Sequence, residues 1–368
     1  MSIDLSEHPA QLKMSRASAI KTGLIPGKLY RDAPLYCANL LLTYDVPRTA
    51  AGCLANCSYC GLARDRGERT EDSFIRVGWP TVSLEEVKDR LRGHDEIERV
   101  CVSMVVHPDA AEDTRRVVDA LSDLDLDISL LSCPKVMERT DYQAIADAGA
   151  DMCDIAVDAA TEEVFHAHRG AGVDGGLSWE NYWEALEIVR DVFGEGHFGA
   201  HFIAGLGESE RAFVESVQRV HDLGGESHLF NFYPHEGTAL EDWETCEAGH
   251  WRRVQLARYL IDHDIASVAD LQFDDGQIDG FGIPDDRLEA IIASGRPFMT
   301  SGCAGATKEC ACNRPAGDSG PTDIRSFPFA PNQDDMRMIR DQLWSDGSWE
   351  GEPPTEPDTE EFGIRTPE

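Results

Sequence analysis

Three cysteines, Cys53, Cys57 and Cys60, fall within the stretch GCLANCSYCGLAR, spaced C-x3-C-x2-C. Thiolates at this density are metal ligands first and core residues second. A structural zinc ion takes four protein ligands. The next cysteine or histidine after Cys60 is His94, beyond a predicted helix, so the spacing fits zinc poorly. A [4Fe–4S] cluster is normally held by four thiolates. With three, one iron stays open to a further ligand.

A second group, Cys303, Cys310 and Cys312, lies in TSGCAGATKECACNRP. Cysteines this close beside glycine and proline read as a second iron–sulfur cluster, with structural zinc as the alternative. Cys37 precedes the first cysteine loop by one strand and is the candidate to join them. Its plain alternative is a buried residue of that strand. Cys153 and Cys246 read as structural.

These residues need elements to hold them. Short apolar runs alternate with longer amphipathic ones. LYCANLLLTY (35–44), RVCVSMVV (99–106), DISLLSC (127–133), MCDIAVDA (152–159), HFGAHFIAGLG (197–207) and HLFNFYP (228–234) read as strands. The late run VADLQF reads as a further strand. SLEEVKDRLRGH reads as a helix with Ser83 and Glu86 as a capping box, and DYQAIADAG as one capped by Thr140 and Gln143. Strands alternating with helices predict an α/β fold with a parallel sheet and right-handed crossovers. The number of units predicts a full or partial (β/α) TIM-like barrel, with a doubly wound open sheet as competitor. In either, the site belongs at the carboxyl ends of the strands. The expected division is an irregular N-terminal arm (1–33), the barrel (34–295), a C-terminal segment with the second cysteine group (296–345) and an acidic, disordered tail (346–368).

The C-x3-C-x2-C loop after the first barrel strand resembles that of the radical S-adenosylmethionine (radical SAM) superfamily. Tyr59 matches the aromatic residue that precedes the third cysteine there. The resemblance implies a [4Fe–4S] cluster on Cys53, Cys57 and Cys60 whose open iron chelates SAM. It implies reductive cleavage of SAM to a 5′-deoxyadenosyl radical that attacks unactivated C–H bonds. HFIAGLGES is similar to the family's GxIxGxxE segment at Ile203, Gly205 and Glu208, with His201 in place of the first glycine. Asp158 resembles the acid that contacts the SAM ribose, and Arg169 the cation for the SAM carboxylate. Their ordinary alternatives are a helix cap and a surface charge.

Within the superfamily the chain resembles the biotin-synthase-related group, over roughly residues 34–315. TSGC…CNRP is similar to an ending found there, with AGATKE as an apparent insertion. That favours Cys303 and Cys312 as ligands and leaves Cys310 as an extra ligand or a bystander. Cys101 and Cys133 resemble two ligands of the biotin-synthase sulfur-donor cluster. The third position holds Gly199–Ala200–His201, and VADLQF has no arginine, so both cysteines are read as core residues. The group includes the two-protein archaeal lipoyl synthase, and the chain resembles its second subunit. This implies sulfur insertion into an octanoyl chain on a carrier domain, a second radical SAM subunit as partner, and an electron donor such as a ferredoxin. Biotin synthase, another radical SAM enzyme, and a non-enzymatic iron–sulfur carrier are the alternatives.

Composition bounds the rest. The formal net charge of −35 disfavours nucleic acid and anionic membranes as partners. Lysine occurs only at Lys13, Lys21, Lys28, Lys88, Lys135 and Lys308. Acid excess with scarce lysine fits a halophile, because concentrated salt screens self-repulsion. No run approaches the roughly 20 apolar residues of a membrane span, and the polar start MSIDLSEHPA lacks signal-peptide features. The expected setting is cytoplasmic. His107, Tyr233 and His235 stand at predicted strand ends without an assigned role.

Overall fold

A computed structural model describes residues 11–44, 52–67, 76–317 and 323–344, with Pro9 and the pairs 73–74 and 319–320. The expected acidic tail, 346–368, lies outside the described residues. Eight strands form the main sheet: β1 (Gln11–Met14), β2 (Cys37–Leu42), β3 (Thr81–Ser83), β4 (Arg99–Ser103), β5 (Asp127–Ser132), β6 (Met152–Asp158), β7 (Phe198–Ala204) and β8 (Glu226–Asn231). Their order is β8-β7-β6-β5-β4-β2-β1-β3. The six strands from β2 to β8, without β3, run parallel. β1 is antiparallel to both β2 and β3. β8 and β3 are the two edges, so the barrel is partial and open.

The parallel strands are buried on both faces because helices cover one side and the barrel interior the other. Every residue of β2 and of β4 is buried. Helices follow the strands in alternation: α1 (Leu84–Leu91), α2 (Ala110–Leu121), α3 (Arg139–Asp147), α4 (Glu162–His168), α5 (Trp179–Phe193), α6 (Glu210–Asp222) and α7 (Ala248–Asp262). In α2 the buried residues Ala110, Thr114, Val117, Val118 and Leu121 recur at helical spacing. Each fully buried Val or Leu contributes about 1.5–3 kcal/mol.

Ser83 caps α1 by accepting from the Glu86 N–H at 3.2 Å, as its spacing predicts. α3 starts earlier than expected. Asp141 accepts from the Glu138 N–H at 2.8 Å, and Thr140 falls inside the first turn. VADLQF is not a barrel strand. Only Gln272–Asp274 is extended, paired with Gln277–Gly280 in a separate hairpin. Gln272 and Asp274 are exposed and Phe273 is only partly buried, unlike a strand buried on both faces.

The arm expected to be irregular supplies β1. Leu12 and Met14 are buried, but four residues are too few to show a period. Ser18 then accepts from the Asn39 N–H of β2 at 3.0 Å. At the other end of the chain, α8 (Gln333–Leu343) packs on α7. Arg31 grips Asp335 through two bonds of 2.6 and 2.9 Å. Arg253 binds Glu210 and the Leu343 carbonyl. These ties bring residues 303–313 back to the start of β2. There Asn313 donates to the Pro34 carbonyl at 2.9 Å and accepts from the Tyr36 N–H at 3.3 Å.

Candidate active site

At the carboxyl end of the sheet, the loop after β2 is pinned by backbone bonds to neighbouring loops. Leu54 N–H donates to Val106 O at 2.8 Å, and Ser58 N–H to His168 O at 2.9 Å. Tight turns within the loop run from Cys60 N to Cys57 O and from Ala63 N to Cys60 O. Cys53, Cys57 and Cys60 line one cavity, together with Tyr59, Asp158, Arg169, Ile203 and Cys133. Burial pushes the Cys53 and Cys60 thiols above their ordinary range. Buried thiols of this kind ionise readily only when a cation arrives.

Asp158 ends β6 with a φ of 60°, a left-handed conformation that side chains seldom adopt. Tyr59 Oη donates to Asp158 Oδ2 at 2.5 Å. Burial raises the Tyr59 pKa well above its ordinary value, which keeps it a donor. Arg169 is not a surface charge: it is 3% exposed. It donates to the Ala156 and Val157 carbonyls, the latter at 2.7 Å, and lies 3.5 Å from Asp158 Oδ2. Burial opposes the Arg169 cation, yet Asp158 holds its pKa well above the ordinary value. Ile203 lines the cavity, whereas Glu208 braces the turn after β7. Its carboxylate accepts from Gly205 N–H at 2.7 Å and Leu206 N–H at 2.9 Å. Gly205, at φ 99°, lies so close to Cys246 that a Cβ would meet its Cβ at 2.6 Å. Tyr233 and His235 border the same cavity, and burial lowers His235 to about 4.

A second cysteine group lies below, toward the amino ends of the strands. Cys37, Cys101, Cys303 and Cys312 cluster with Met152, and all are buried. Register explains the first two. Cys37 pairs with Arg99 on β4, and Asn39, two residues on, pairs with Cys101. Residues two apart point to one face, so both thiols face the barrel interior. The C-terminal pair arrives through a tight loop in which the Ala311 and Cys312 N–H groups both donate to Cys303 O. The AGATKE excursion is held by Glu98, which accepts from Thr307 and Lys308 N–H. Cys310 sits on that excursion, half-buried and outside the group.

Hydrogen bonds from Cys101 and then Cys37 hold the Cys312 thiol well below its ordinary pKa, and Asn39 Nδ2 approaches its sulfur at 3.4 Å. Burial pushes Cys37 and Cys303 up; the bond to Cys312, then burial, pushes Cys101 up. Cys303 Sγ donates to Asp154 Oδ2 at 3.1 Å. Burial would raise Asp154, but His228 and His201 hold its carboxylate below the usual range. Cys101, read from the sequence as a core residue, is thus a member of the group, and Cys133 is not. Asp154 and His228 carried no signal in the sequence. Leu131 packs on the second group and also lines the cavity above, so it touches both.

The family model of the Radical SAM superfamily matches residues 48–220, and the chain carries a domain of that superfamily. Proteins of the superfamily bind a [4Fe–4S] cluster and SAM. Three thiols, two buried and one partly buried, that line one cavity beside an acid and a cation fit that pair. The chain is similar to a biotin synthase of Saccharopolyspora erythraea, at 24% identity over 216 residues. That match covers 56% of this chain and 57% of the relative, so it spans little more than half the relative's length. Among solved structures, methylornithine synthase (PylB) overlaps with a TM-score of 0.49 at 14% identity, covering 68% of this chain and 67% of that one. The FeFe-hydrogenase maturase HydG from Carboxydothermus hydrogenoformans gives a TM-score of 0.47 at 17% identity, covering 68% and 55%. No helix among the described residues is long and apolar enough to cross a membrane.

Proposed function

We infer that the protein is a sulfur-inserting radical SAM enzyme that converts an octanoyl chain on a carrier domain to lipoyl, working with a second radical SAM subunit. One observation carries this reading: a four-thiol group adjoins, through Leu131, the apolar cavity that Cys53, Cys57 and Cys60 line. In this reading Cys53, Cys57 and Cys60 hold the SAM-binding cluster, and Cys37, Cys101, Cys303 and Cys312 a second one. Bound there with SAM, the first cluster supplies a hydrogen-abstracting radical and the second supplies sulfur. The chain's own residues do the rest. Asp158, oriented by Tyr59, and Arg169 present one negative and one positive group for the polar parts of SAM. Met104, Val105, Val106, Leu131 and Phe232 line an apolar slot that suits an acyl chain and excludes water. Gly205 and Glu208 fix the turn that carries Ile203.

A low-potential donor such as a ferredoxin, a cytoplasmic setting and a saline habitat complete the reading. The last rests on the net charge of −35.

The test is anaerobic incubation of the protein, its partner subunit, SAM and reductant with an octanoylated carrier. Thiolated octanoyl product in the mass spectrum is expected. Formation of 5′-deoxyadenosine with no thiolated product would overturn the lipoyl assignment. The likeness to a biotin synthase favours one second reading, biotin formation, which rescue of a biotin auxotroph would support.

A further inference from the structure

Beside the four thiols lies a mixed corner that the reaction described above does not use. Asp154 on β6 and His228 on β8 are each 2% exposed. Asp154 Oδ2 lies 3.1 Å from Cys303 Sγ and 3.3 Å from His228 Nε2. His201 Nε2 is 3.5 Å from the same oxygen. Among the described residues, Asp154, His228 and Cys303 offer an oxygen, a nitrogen and a sulfur all within 4.8 Å of one another. Asp154 Oδ1 and His228 Nδ1 are buried without a hydrogen-bond partner. Leaving such an atom bare costs about 1–3 kcal/mol.

The neighbouring strand is cut back to admit the carboxylate. A Cβ at Gly199 on β7 would lie 2.8 Å from Asp154 Oδ1 and 2.5 Å from the Glu226 carbonyl oxygen. A buried acid, an imidazole and a thiol with bare polar atoms have the donor set of an iron site. Thiolate, imidazole and carboxylate all serve iron, differing in softness.

We propose that Asp154 and His228 are reserve iron ligands at the Cys303 corner of the second metal site, so that iron released by Cys303 is caught rather than lost. This rests on the reading of Cys37, Cys101, Cys303 and Cys312 as that site. In the exchange, the Fe–S bond to Cys303 breaks and an Fe–O or Fe–N bond to Asp154 or His228 forms. No electron moves, and the freed thiolate keeps its electron pair. A site that gives up sulfur gains from this arrangement, because its corner iron stays coordinated.

The experiment uses the full chain with Cys53, Cys57 and Cys60 replaced by alanine, reconstituted anaerobically, so that only the second site binds iron. That background is expected to hold about four iron atoms per chain, and Cys312→Ala to empty it. Zinc or no metal in the background would overturn both the four-thiol reading and the proposal. Cys303→Ala is expected to keep more than half of the iron, and adding Asp154→Ala and His228→Ala to bring it down to the Cys312→Ala level. With ¹⁵N-histidine, the reduced Cys303→Ala protein is expected to show a nitrogen hyperfine coupling that His228→Ala removes. If Cys303→Ala is as empty as Cys312→Ala while folded by circular dichroism, the proposal fails and the four-thiol reading stands. A second variant avoids any folding defect of Cys303→Ala. Asp154→Ala with Cys303 intact is expected to lose iron to a chelator about tenfold faster or more; an unchanged rate would overturn the proposal.

Discussion

Replacing Arg169 by methionine should damage both the fold and the binding of SAM. The arginine is 3% exposed, so the regime is that of a buried ion pair. It serves the Ala156 and Val157 carbonyls, the Asp158 carboxylate and the Tyr182 hydroxyl, the last at 3.3 Å. Methionine fills similar space but leaves the partly buried Asp158 carboxylate with the Tyr59 hydroxyl as its remaining partner. Breaking a buried pair from one side costs about 3–5 kcal/mol. Against a total stability of about 5–15 kcal/mol, the variant stays largely folded except at the lower end of that range. Arg169→Lys should lose less, because the charge remains. A point-like ammonium cannot span the same acceptors, and each one left bare costs about 1–3 kcal/mol. The assay is guanidinium unfolding of the reconstituted protein under anaerobic conditions, with SAM affinity by equilibrium dialysis. The expected order of stability is wild type, then lysine, then methionine. An Arg169→Met unfolding free energy within about 1 kcal/mol of wild type would refute the buried-pair reasoning.

Three further outcomes follow from the same structure. Gly205→Ala places a Cβ 2.6 Å from Cys246 Cβ at a left-handed φ. It should lose about 1–2 kcal/mol for the backbone and about 1–3 for overpacking, read by denaturant midpoint; an unshifted midpoint would show that the turn is not constrained as described. Cys101→Ala should halve the iron of the reconstituted chain from about eight atoms to about four, while Cys133→Ala should leave the count unchanged. For His250, burial and then Arg253 lower the pKa from 6.5 to about 4. The folded state therefore binds fewer protons than the unfolded one between these values, and the stability it permits is full above 6.5 and lost as pH falls. The stability advantage of wild type over His250→Gln should shrink by up to about 3 kcal/mol between neutral pH and pH 4. A pH-independent difference would remove His250 from the acid response.

Part of this site could be read directly because its thiols are local. Cys53, Cys57 and Cys60 lie within eight consecutive residues, so chain spacing alone brings them together. The strands of the barrel were legible for a similar reason. Runs such as RVCVS and MCDIAVD are apolar enough to demand burial on both faces. Short elements escaped. β1 is four residues long, and the run VADLQF was misread because an apolar character without a partner strand does not fix its place. Cap positions moved by one or two residues at α3, where Glu138 and Thr140 both precede plausible first turns.

The amino-acid sequence alone determined the initiating chemistry and the α/β alternation, because both depend on contacts between near neighbours. The tertiary structure decided which distant cysteines meet. Cys101 sits early in its strand and Cys133 at the end of another; register turns the first toward Cys37 and Cys312, and the second lines the upper cavity. Cys310 is two residues from Cys312 yet lies outside the group, on a loop that Glu98 holds. Asp154, His228 and Cys303 come from three separate segments. Only the pairing of β6, β7 and β8 and the return of the C-terminal segment place their side chains in one buried corner.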